Sequence, residues 1–272
     1  MKITLLGTGA AEGVPSIFCN CKTCEISRIN KGRNIRRRSS AMINEELLID
    51  CGPDLFASCS SLGLSLDKII GILVTHCHFD HFYPENLEIR GPRYQWGLES
   101  IINIIANSSV FYKLSQLGYK DEELHIKRII PYFYNEIILQ NFKITPIVAN
   151  HAKEYGGAMN YVITDGNKTI LYASDTGIYA EEQYKKLEHY FFDGIIVDAT
   201  SALRDYSSKN HMNLNGIIEM KQNLFEKSII DEKTIIVATH FSHDSNPPHD
   251  ELSRELAKFD IICGYDGLMI DL

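Results

Sequence analysis

One segment constrains this chain more than any other: Thr75-His76-Cys77-His78-Phe79-Asp80-His81, set directly after the apolar run 69–74. Such a run suits a buried strand, so the segment is a loop leaving a strand end. Three of the ten histidines and one aspartate fall here within six positions. His76 and His78 are two apart, so their side chains share one face of an extended loop. Asp80 and His81 then turn toward a second position. Imidazole and carboxylate in one place suit zinc, manganese or iron. A merely solvated loop has no need of that density.

The rest of the chain uses the same grammar. Strands are expected at 2–6, at 41–43 and 46–50 as a hairpin turning at Asn44-Glu45, and at 101–106. Pro53 after Gly52 opens a helix running to about Ser61. In the second half, strands are expected at 142–148, 158–164, 168–173, 194–197, 234–239, 260–263 and 268–271. Asp165-Gly166-Asn167 marks a hairpin, and helices are expected at 180–189 and 213–225. Strand after strand ends at His or Asp. Mixed hairpins and helix crossovers predict an α/β chain (α+β mixed) with two mixed sheets covered by helices, in four layers. The halves divide around 120–140, and residues 1–272 are read as a single domain. Ligands in such folds gather at strand ends and the loops that follow them.

No window approaches eighteen consecutive apolar residues, which excludes a membrane-spanning helix. The stretch from Met1 to Gly7 is too short an apolar run for a secretory signal, and the cytoplasm is the expected compartment. The net charge of -8 argues against a general nucleic-acid binder, because Lys and Arg drive phosphate binding. Within that balance Arg33, Arg36, Arg37 and Arg38 form a basic run that either attracts an anionic substrate or faces solvent.

Three of the seven cysteines lie within six residues, at Cys19, Cys21 and Cys24. Without an export signal, such clustering reads as metal binding rather than disulfides. Three thiolates take three corners of a zinc tetrahedron, and His243, three residues past His240, is the candidate for the fourth. Cys51, Cys59, Cys77 and Cys263 read as buried packing thiols. Gly7, Gly9 and Gly13 do not make a phosphate-cradling Walker sequence and read as tight turns beside the metal loop. Asp50 and Asp266 end apolar segments. Either they orient metal-bound histidines from behind or they cap strand ends. Tyr132, Phe133 and Tyr134 read as core or pocket wall.

The pattern His-x-His-x-Asp-His at 76–81 resembles the signature of the metallo-β-lactamase superfamily, and the resemblance extends over nearly the whole chain. Asn150-His151 is similar to that family's third histidine, Ser174-Asp175-Thr176 to its bridging aspartate, and Thr239-His240 to its last histidine. The resemblance implies a four-layer αββα sandwich. It implies that His76, His78 and His151 hold one divalent cation, that Asp80, His81 and His240 hold another, and that Asp175 bridges them. The run from Gly7 through Glu12 to Pro15, followed by Cys-x-Cys-x-x-Cys, narrows the resemblance. It is similar to the phosphodiesterases of the carbon–phosphorus lyase pathway, which open phosphoribosyl cyclic phosphates. His240 with His243, Asn210-His211 and Gly264-Tyr265-Asp266-Gly267 fit the same subfamily. The chain departs from it at Ala199-Thr200-Ser201-Ala202-Leu203, where a histidine is expected.

The expectation is therefore a dinuclear-metal-dependent phosphodiesterase acting on small cyclic phosphates. Two Zn or Mn ions would sit in the active site, with one structural Zn on Cys19, Cys21, Cys24 and His243. Two cations about 3.5–4 Å apart activate water for attack on phosphorus. Asp80 and His211 are the catalytic candidates, Asp80 as a ligand. His211 is a proton donor to the leaving alkoxide or a phosphate contact. Three other readings share the motif. A ribonuclease of the transfer-RNA 3′-processing type would resemble enzymes with a long Gly/Lys-rich arm, which this sequence lacks. A thioester or lactam hydrolase uses the same ligands. A non-catalytic metal-binding protein would be favoured by a missing ligand, and none is missing. The subfamily resemblance also implies a homodimer.

Overall fold

The computed structural model describes residues 1–94, 100–205 and 208–272, and its strands fall into two seven-stranded sheets. In chain order the first half runs β1 (Lys2–Gly7), α1 (Lys22–Asn30), β2 (Ser40–Ile43), β3 (Leu47–Ile49), α2 (Leu55–Leu62), β4 (Gly71–Leu73), α3 (Glu85–Glu88), β5 (Ile102–Ile105), α4 (Ser108–Ser115), α5 (Asp121–Leu124) and β6 (Ile126–Ile129). The second half runs β7 (Ile137–Leu139), β8 (Phe142–Val148), β9 (Met159–Thr164), β10 (Thr169–Ala173), α6 (Glu181–Leu187), β11 (Gly194–Asp198), α7 (Leu214–Glu226), β12 (Ile235–Thr239), α8 (His249–Ala257), β13 (Ile261–Cys263) and β14 (Met269–Asp271). One sheet has the order β14-β1-β2-β3-β4-β5-β6 and the other β13-β12-β11-β10-β9-β8-β7.

Why the sheets stack is visible at β4. Leu73 joins Leu47, Ile49 and Ile105, and from the other sheet Ile163, Tyr172 and Val237, in one inter-sheet core. Its neighbours Ile72 and Val74 face the other way, onto Leu55 of α2 and Val110 and Leu114 of α4. A period of two sends adjacent residues to opposite faces, so a run that is apolar at both phases buries both. The second sheet does the same. Val162, Leu171, Val197 and Ala238 pack outward against Leu187 of α6, Ile217 and Leu224 of α7 and Leu252 of α8. The result is the expected four-layer αββα sandwich, with the division between halves between β6 and β7.

Strands β3, β4, β5 and β6 are parallel to one another, as are β10, β11, β12 and β13. Helical crossovers require this, and parallel strands bring their C-terminal ends to a common edge. Asp50 follows β3, the histidine loop follows β4, Asp175 follows β10, Asp198 ends β11 and His240 follows β12. Asn44, Glu45 and Glu46 turn the β2–β3 hairpin, the first two with φ of 50° and 60°, a left-handed turn that suits the twist of the strands. No helix among the described residues is long and apolar enough to cross a membrane.

Three expectations are corrected. The basic run is not one solvated face, for Arg33 is exposed while Arg36, Arg37 and Arg38 are buried or partly buried. Arg36 is buried, donates to Thr8 Oγ1 at 2.9 Å and the Gly264 carbonyl at 2.6 Å, and lies 4.3 Å over the Phe241 ring. Arg38 pairs with Asp54 at 3.0 Å, and Arg33 stacks on Tyr265. Cys51 and Cys263 are buried, but Cys59 and Cys77 are only half-buried. Tyr132 is exposed rather than core or wall, because it lies in the connection between the sheets, while Tyr134 packs partly against the outer core.

Candidate metal centre

The site is built at the strand ends by residues held in an unusual backbone state. Asp50, Asp175 and His240 have φ of 61°, 51° and 63°, in the left-handed region that costs non-glycine residues energy. Each turns its side chain sharply off the end of its strand into the shared edge. Two glycines allow the loops to close. A Cβ on Gly52 would meet the Asp80 carbonyl at 2.1 Å, and one on Gly177 would meet the Lys209 carbonyl at 2.2 Å. The first pins the histidine loop against the end of β3, and the second pins the loop that carries His211.

Two ligand clusters result. His76 Nε2 lies 2.8 Å from His78 Nδ1, and His151 Nε2 lies 3.3 Å from that same nitrogen. In the second cluster His81 Nε2 lies 3.3 Å from His240 Nε2 and 3.2 Å from Asp80 Oδ2. Asp175 stands between the clusters, with Oδ2 2.6 Å from His81 Nε2 and 3.5 Å from His76 Nε2. Its Oδ1 is buried 3.0 Å from His240 Nε2 yet accepts no hydrogen bond. Two unprotonated imidazole nitrogens aimed at one another satisfy neither. An orphaned buried carboxylate oxygen is likewise costly. Nitrogens and oxygens converging on common points are a donor set for cations, and these residues fit a divalent metal pair. Ligand atoms of His76, His78 and His151, and of Asp80, His81, Asp175 and His240, each lie within 4.8 Å of one another.

The charge balance agrees. Burial opposes it, yet Asp175, Asp80 and Asp50 hold the His81 imidazole well above its ordinary value. Burial also works against ionisation of Asp175, but His240, His81 and His76 hold its carboxyl well below the usual range. A cation would take the place of that proton.

Outer partners fix the rings. Asp50 is fully buried and accepts from His81 Nδ1 at 2.7 Å, from Thr75 N at 2.8 Å and from Thr75 Oγ1 at 3.0 Å. It fixes the His81 ring from behind, the geometry that one of its two sequence readings describes. Asp266 does the other job. It accepts from Thr8 Oγ1 at 2.8 Å and Arg37 N at 2.7 Å and touches none of the ligand histidines. Burial pushes its carboxyl up to about 6.

His211 lies at the rim of the cluster. Its Nδ1 is 3.0 Å from Asp198 Oδ2 and 3.5 Å from Asp175 Oδ1. Burial works against the charged ring, but Asp198 and Asp175 push it up to about 9. Tyr155 sets its ring edge-on to His78 with 5.6 Å between centroids. Asp198 and Tyr155 were not singled out from the sequence. Asp198 ends an apolar strand as Asp50 does, and that signal was available. Nothing local marked Tyr155.

The thiol cluster is a separate centre. Cys19, Cys21, Cys24 and His243 bring four ligand atoms within 4.8 Å of one another. His243 Nδ1 lies 3.5 Å from Cys19 Sγ and 3.4 Å from Cys21 Sγ. Cys24 is buried in the first turn of α1 and accepts from Ser16 N at 3.3 Å. Burial resists ionisation of Cys21, but hydrogen bonds from the Cys24 backbone and from His243 bring its thiol down to about 7. Three thiols and one imidazole suit a tetrahedral zinc.

Comparison with known proteins agrees with this geometry. Residues 45–241 match the Beta-lactamase superfamily domain. A diphosphatase of the PhnP family has a solved structure 24% identical, with a TM-score of 0.76 over 99% of this chain and 96% of that one. Zn(2+)-bound PqqB from Methylobacterium extorquens is 18% identical, with a TM-score of 0.75 over all of both chains. The short form of human tRNase Z is 18% identical, with a TM-score of 0.66 over 100% of this chain and 99% of that one. Two curated relatives match shorter stretches, each 30% of this chain. An octanoyltransferase of Porphyromonas gingivalis is 36% identical over 85 residues, and the anti-Pycsar protein Apyc1 of Bacillus phage 010DV004 is 33% identical over 81. The matched stretches are 16% and 25% of those proteins' own lengths. With a family match over most of its length and the ligand residues gathered at one sheet edge, the chain belongs to the metallo-β-lactamase superfamily of metal-dependent hydrolases.

Proposed function

We propose that this protein is a dinuclear phosphodiesterase that opens small cyclic phosphates such as a phosphoribosyl cyclic phosphate. In this reading it is a single domain, cytoplasmic and homodimeric, with a structural zinc on Cys19, Cys21, Cys24 and His243 and Zn or Mn on the catalytic ligands. The observation that carries the reading is the His211–Asp198 pair at the rim, with His211 Nδ1 3.0 Å from the carboxylate and 3.5 Å from Asp175. Asp198 holds the Nδ1 proton, so Nε2 is the edge left for a substrate. An imidazolium there meets a phosphate oxygen or hands a proton to a departing alkoxide. The fold is shared with a diphosphatase of the PhnP family, which favours chemistry at phosphorus. The net charge of -8 disfavours a long RNA substrate, although the fold is also that of tRNase Z.

His76, His78, His151, Asp80, His81 and His240 would hold the cations, with Asp175 between them. Bound there, a divalent pair supplies Lewis acidity toward phosphoryl oxygens and a water acidic enough to attack at neutral pH. The protein's own groups do the rest. Asp80 and Asp175 serve as ligands and carry negative charge into the site. Asp50 keeps the His81 lone pair turned inward. His211 moves a proton at Nε2 while Asp198 keeps its ring from rotating.

The test is a hydrolysis screen of cyclic and linear phosphodiesters against thioesters and lactams, with manganese, zinc and nickel supplied separately. Cyclic phosphates should turn over fastest. Faster maturation of a precursor transfer RNA, or turnover confined to thioesters or lactams, would overturn the reading.

A further inference from the structure

One hydroxyl is shared by three groups at the edge of the site. Thr200 Oγ1 lies 2.8 Å from His240 Nδ1, 3.1 Å from Asp198 Oδ2 and 3.1 Å from His211 Nδ1. A hydroxyl has one proton to give and two lone pairs to receive, so counting protons assigns the directions. His240 turns Nε2 toward Asp175 at 3.0 Å and Asp80 at 3.8 Å. With Nε2 as the ligand atom, Nδ1 carries the proton and donates to Thr200. His211 Nδ1 faces Asp198 Oδ2, which only accepts, so that nitrogen also carries a proton. The Thr200 proton then has one acceptor within reach, Asp198 Oδ2. Asp198 is fully buried and held on its other oxygen by Thr200 N at 3.1 Å and Met212 N at 2.9 Å. The chain of bonds runs from His240 through Thr200 to Asp198, and His211 meets the same carboxylate oxygen beside Thr200. The two imidazole rings lie 5.7 Å apart and 13° from parallel, as two rings hung from one anchor should.

We infer that Thr200 is a positioning residue that couples the metal ligand His240 to His211 through Asp198, so that loading the ligand cluster fixes the imidazole edge that meets the substrate. What His211 does for the substrate rests on the proposed function, but the coupling is a property of the fold. A coupling of this kind is reciprocal. Deleting the hydroxyl weakens cation binding, and loading the cations reaches His211 less, through Asp175 alone. Thr200 lies in the segment where the subfamily resemblance leads one to expect a histidine, and it supplies a hydrogen-bonding group there by other means.

The experiment compares the wild type with Thr200→Val, which keeps the β-branched shape, and with Thr200→Ser, which keeps the hydroxyl. Thr200→Ala removes the hydroxyl without bulk and replaces the valine variant if that one fails to fold. Zinc and manganese affinities are read by competition with a chelator. The ring N–H resonances of His211 are followed by NMR with and without zinc. In the wild type and Thr200→Ser, zinc should shift the His211 Nδ1–H signal. In Thr200→Val that response should shrink to what the 3.5 Å approach of His211 to Asp175 alone transmits, with affinity falling by roughly 10–100-fold, as loss of an outer partner does. A His211 response to zinc in Thr200→Val equal to the wild type, or no response in the wild type, would overturn the coupling. Failure of the phosphodiesterase reading would look different, with the zinc response intact and no cyclic phosphate hydrolysed.

Discussion

Replacing Asp50 with asparagine isolates what a carboxylate behind a ligand histidine contributes. In the native site Asp50 takes the His81 Nδ1 proton at 2.7 Å and both the N–H and hydroxyl of Thr75, all in a fully buried pocket. Asparagine keeps the shape but offers one acceptor oxygen and an NH2 group. If the oxygen keeps the Thr75 bonds, the NH2 faces His81 Nδ1, donor against donor. The ring relieves this by shedding its Nδ1 proton and keeping the one on Nε2, which points into the cluster of His240, Asp80 and Asp175. Binding a cation then requires the proton to return to Nδ1, which restores the clash and leaves a buried donor unsatisfied at about 1–3 kcal/mol. At about 1.4 kcal/mol per decade, affinity for the cation on Asp80, His81 and His240 should fall roughly 10–100-fold. In the metal-free fold two effects oppose each other, because the buried pairing of Asp50 with His81 is lost along with the cost of burying the carboxylate. Burial alone pushes the Asp50 carboxyl up, so a neutral side chain removes a desolvation cost. Affinity is measured by titration against a chromophoric chelator, and stability by thermal unfolding of metal-free protein. Wild-type affinity for both ions in Asp50→Asn would refute the argument that Asp50 sets the His81 tautomer.

Three further outcomes follow from the same geometry. Cys21→Ser should lose one zinc per chain and lower the melting temperature, read by elemental analysis and calorimetry, since the four-ligand set anchors α1 to the loop that follows β12; unchanged zinc content would contradict the site. Asp175→Ala should cost several orders of magnitude in turnover and weaken at least one cation, measured by kinetics and metal content, because one carboxylate serves both clusters; near-native turnover with both metals retained would rule out bridging. His211→Ala should lose on the order of 10²–10⁴ in rate with an alkoxide leaving group and much less with p-nitrophenolate, at constant metal content; equal losses would indicate phosphate contact, and no loss would remove His211 from the mechanism.

The histidines gathered at the sheet edge were legible because their loops open directly after apolar runs, and a chain that must bury a strand on both faces leaves the loop after it at the sheet edge. The two sheets were legible for the same reason, since Leu73 and its neighbours Ile72 and Val74 are apolar at both phases and serve two different cores. Helices α1, α3, α4, α5 and α8 and strands β6 and β7 were not anticipated. Helix α1 is short and mostly polar, with only Cys24 and Ser27 buried, and α8 hides behind the Pro247-Pro248 entry with an acidic first turn at Asp250 and Glu251. The basic run misled because sequence does not show that Arg36 finds a hydroxyl, a carbonyl and the Phe241 ring in the interior.

The pair Asp50 and Asp266 shows what decides between two readings of one sequence signature. Both follow apolar segments, and both carboxylates are well buried and accept backbone and hydroxyl protons. Asp50 leaves β3, whose parallel neighbour is β4, so its oxygens meet Thr75 and His81 where the histidine loop begins. Asp266 lies between β13 and β14, and β14 pairs with β1, so its oxygens meet Thr8 beyond β1 and the backbone of Arg37. The residue type is the same, and strand order separates a group that orients a ligand from one that ties the chain's two ends together. Strand order is a long-range property, set by which apolar faces bury against each other. Asp198 follows the same logic. It ends β11 beside β12, and that neighbour places it next to Thr200, His240 and His211 in space.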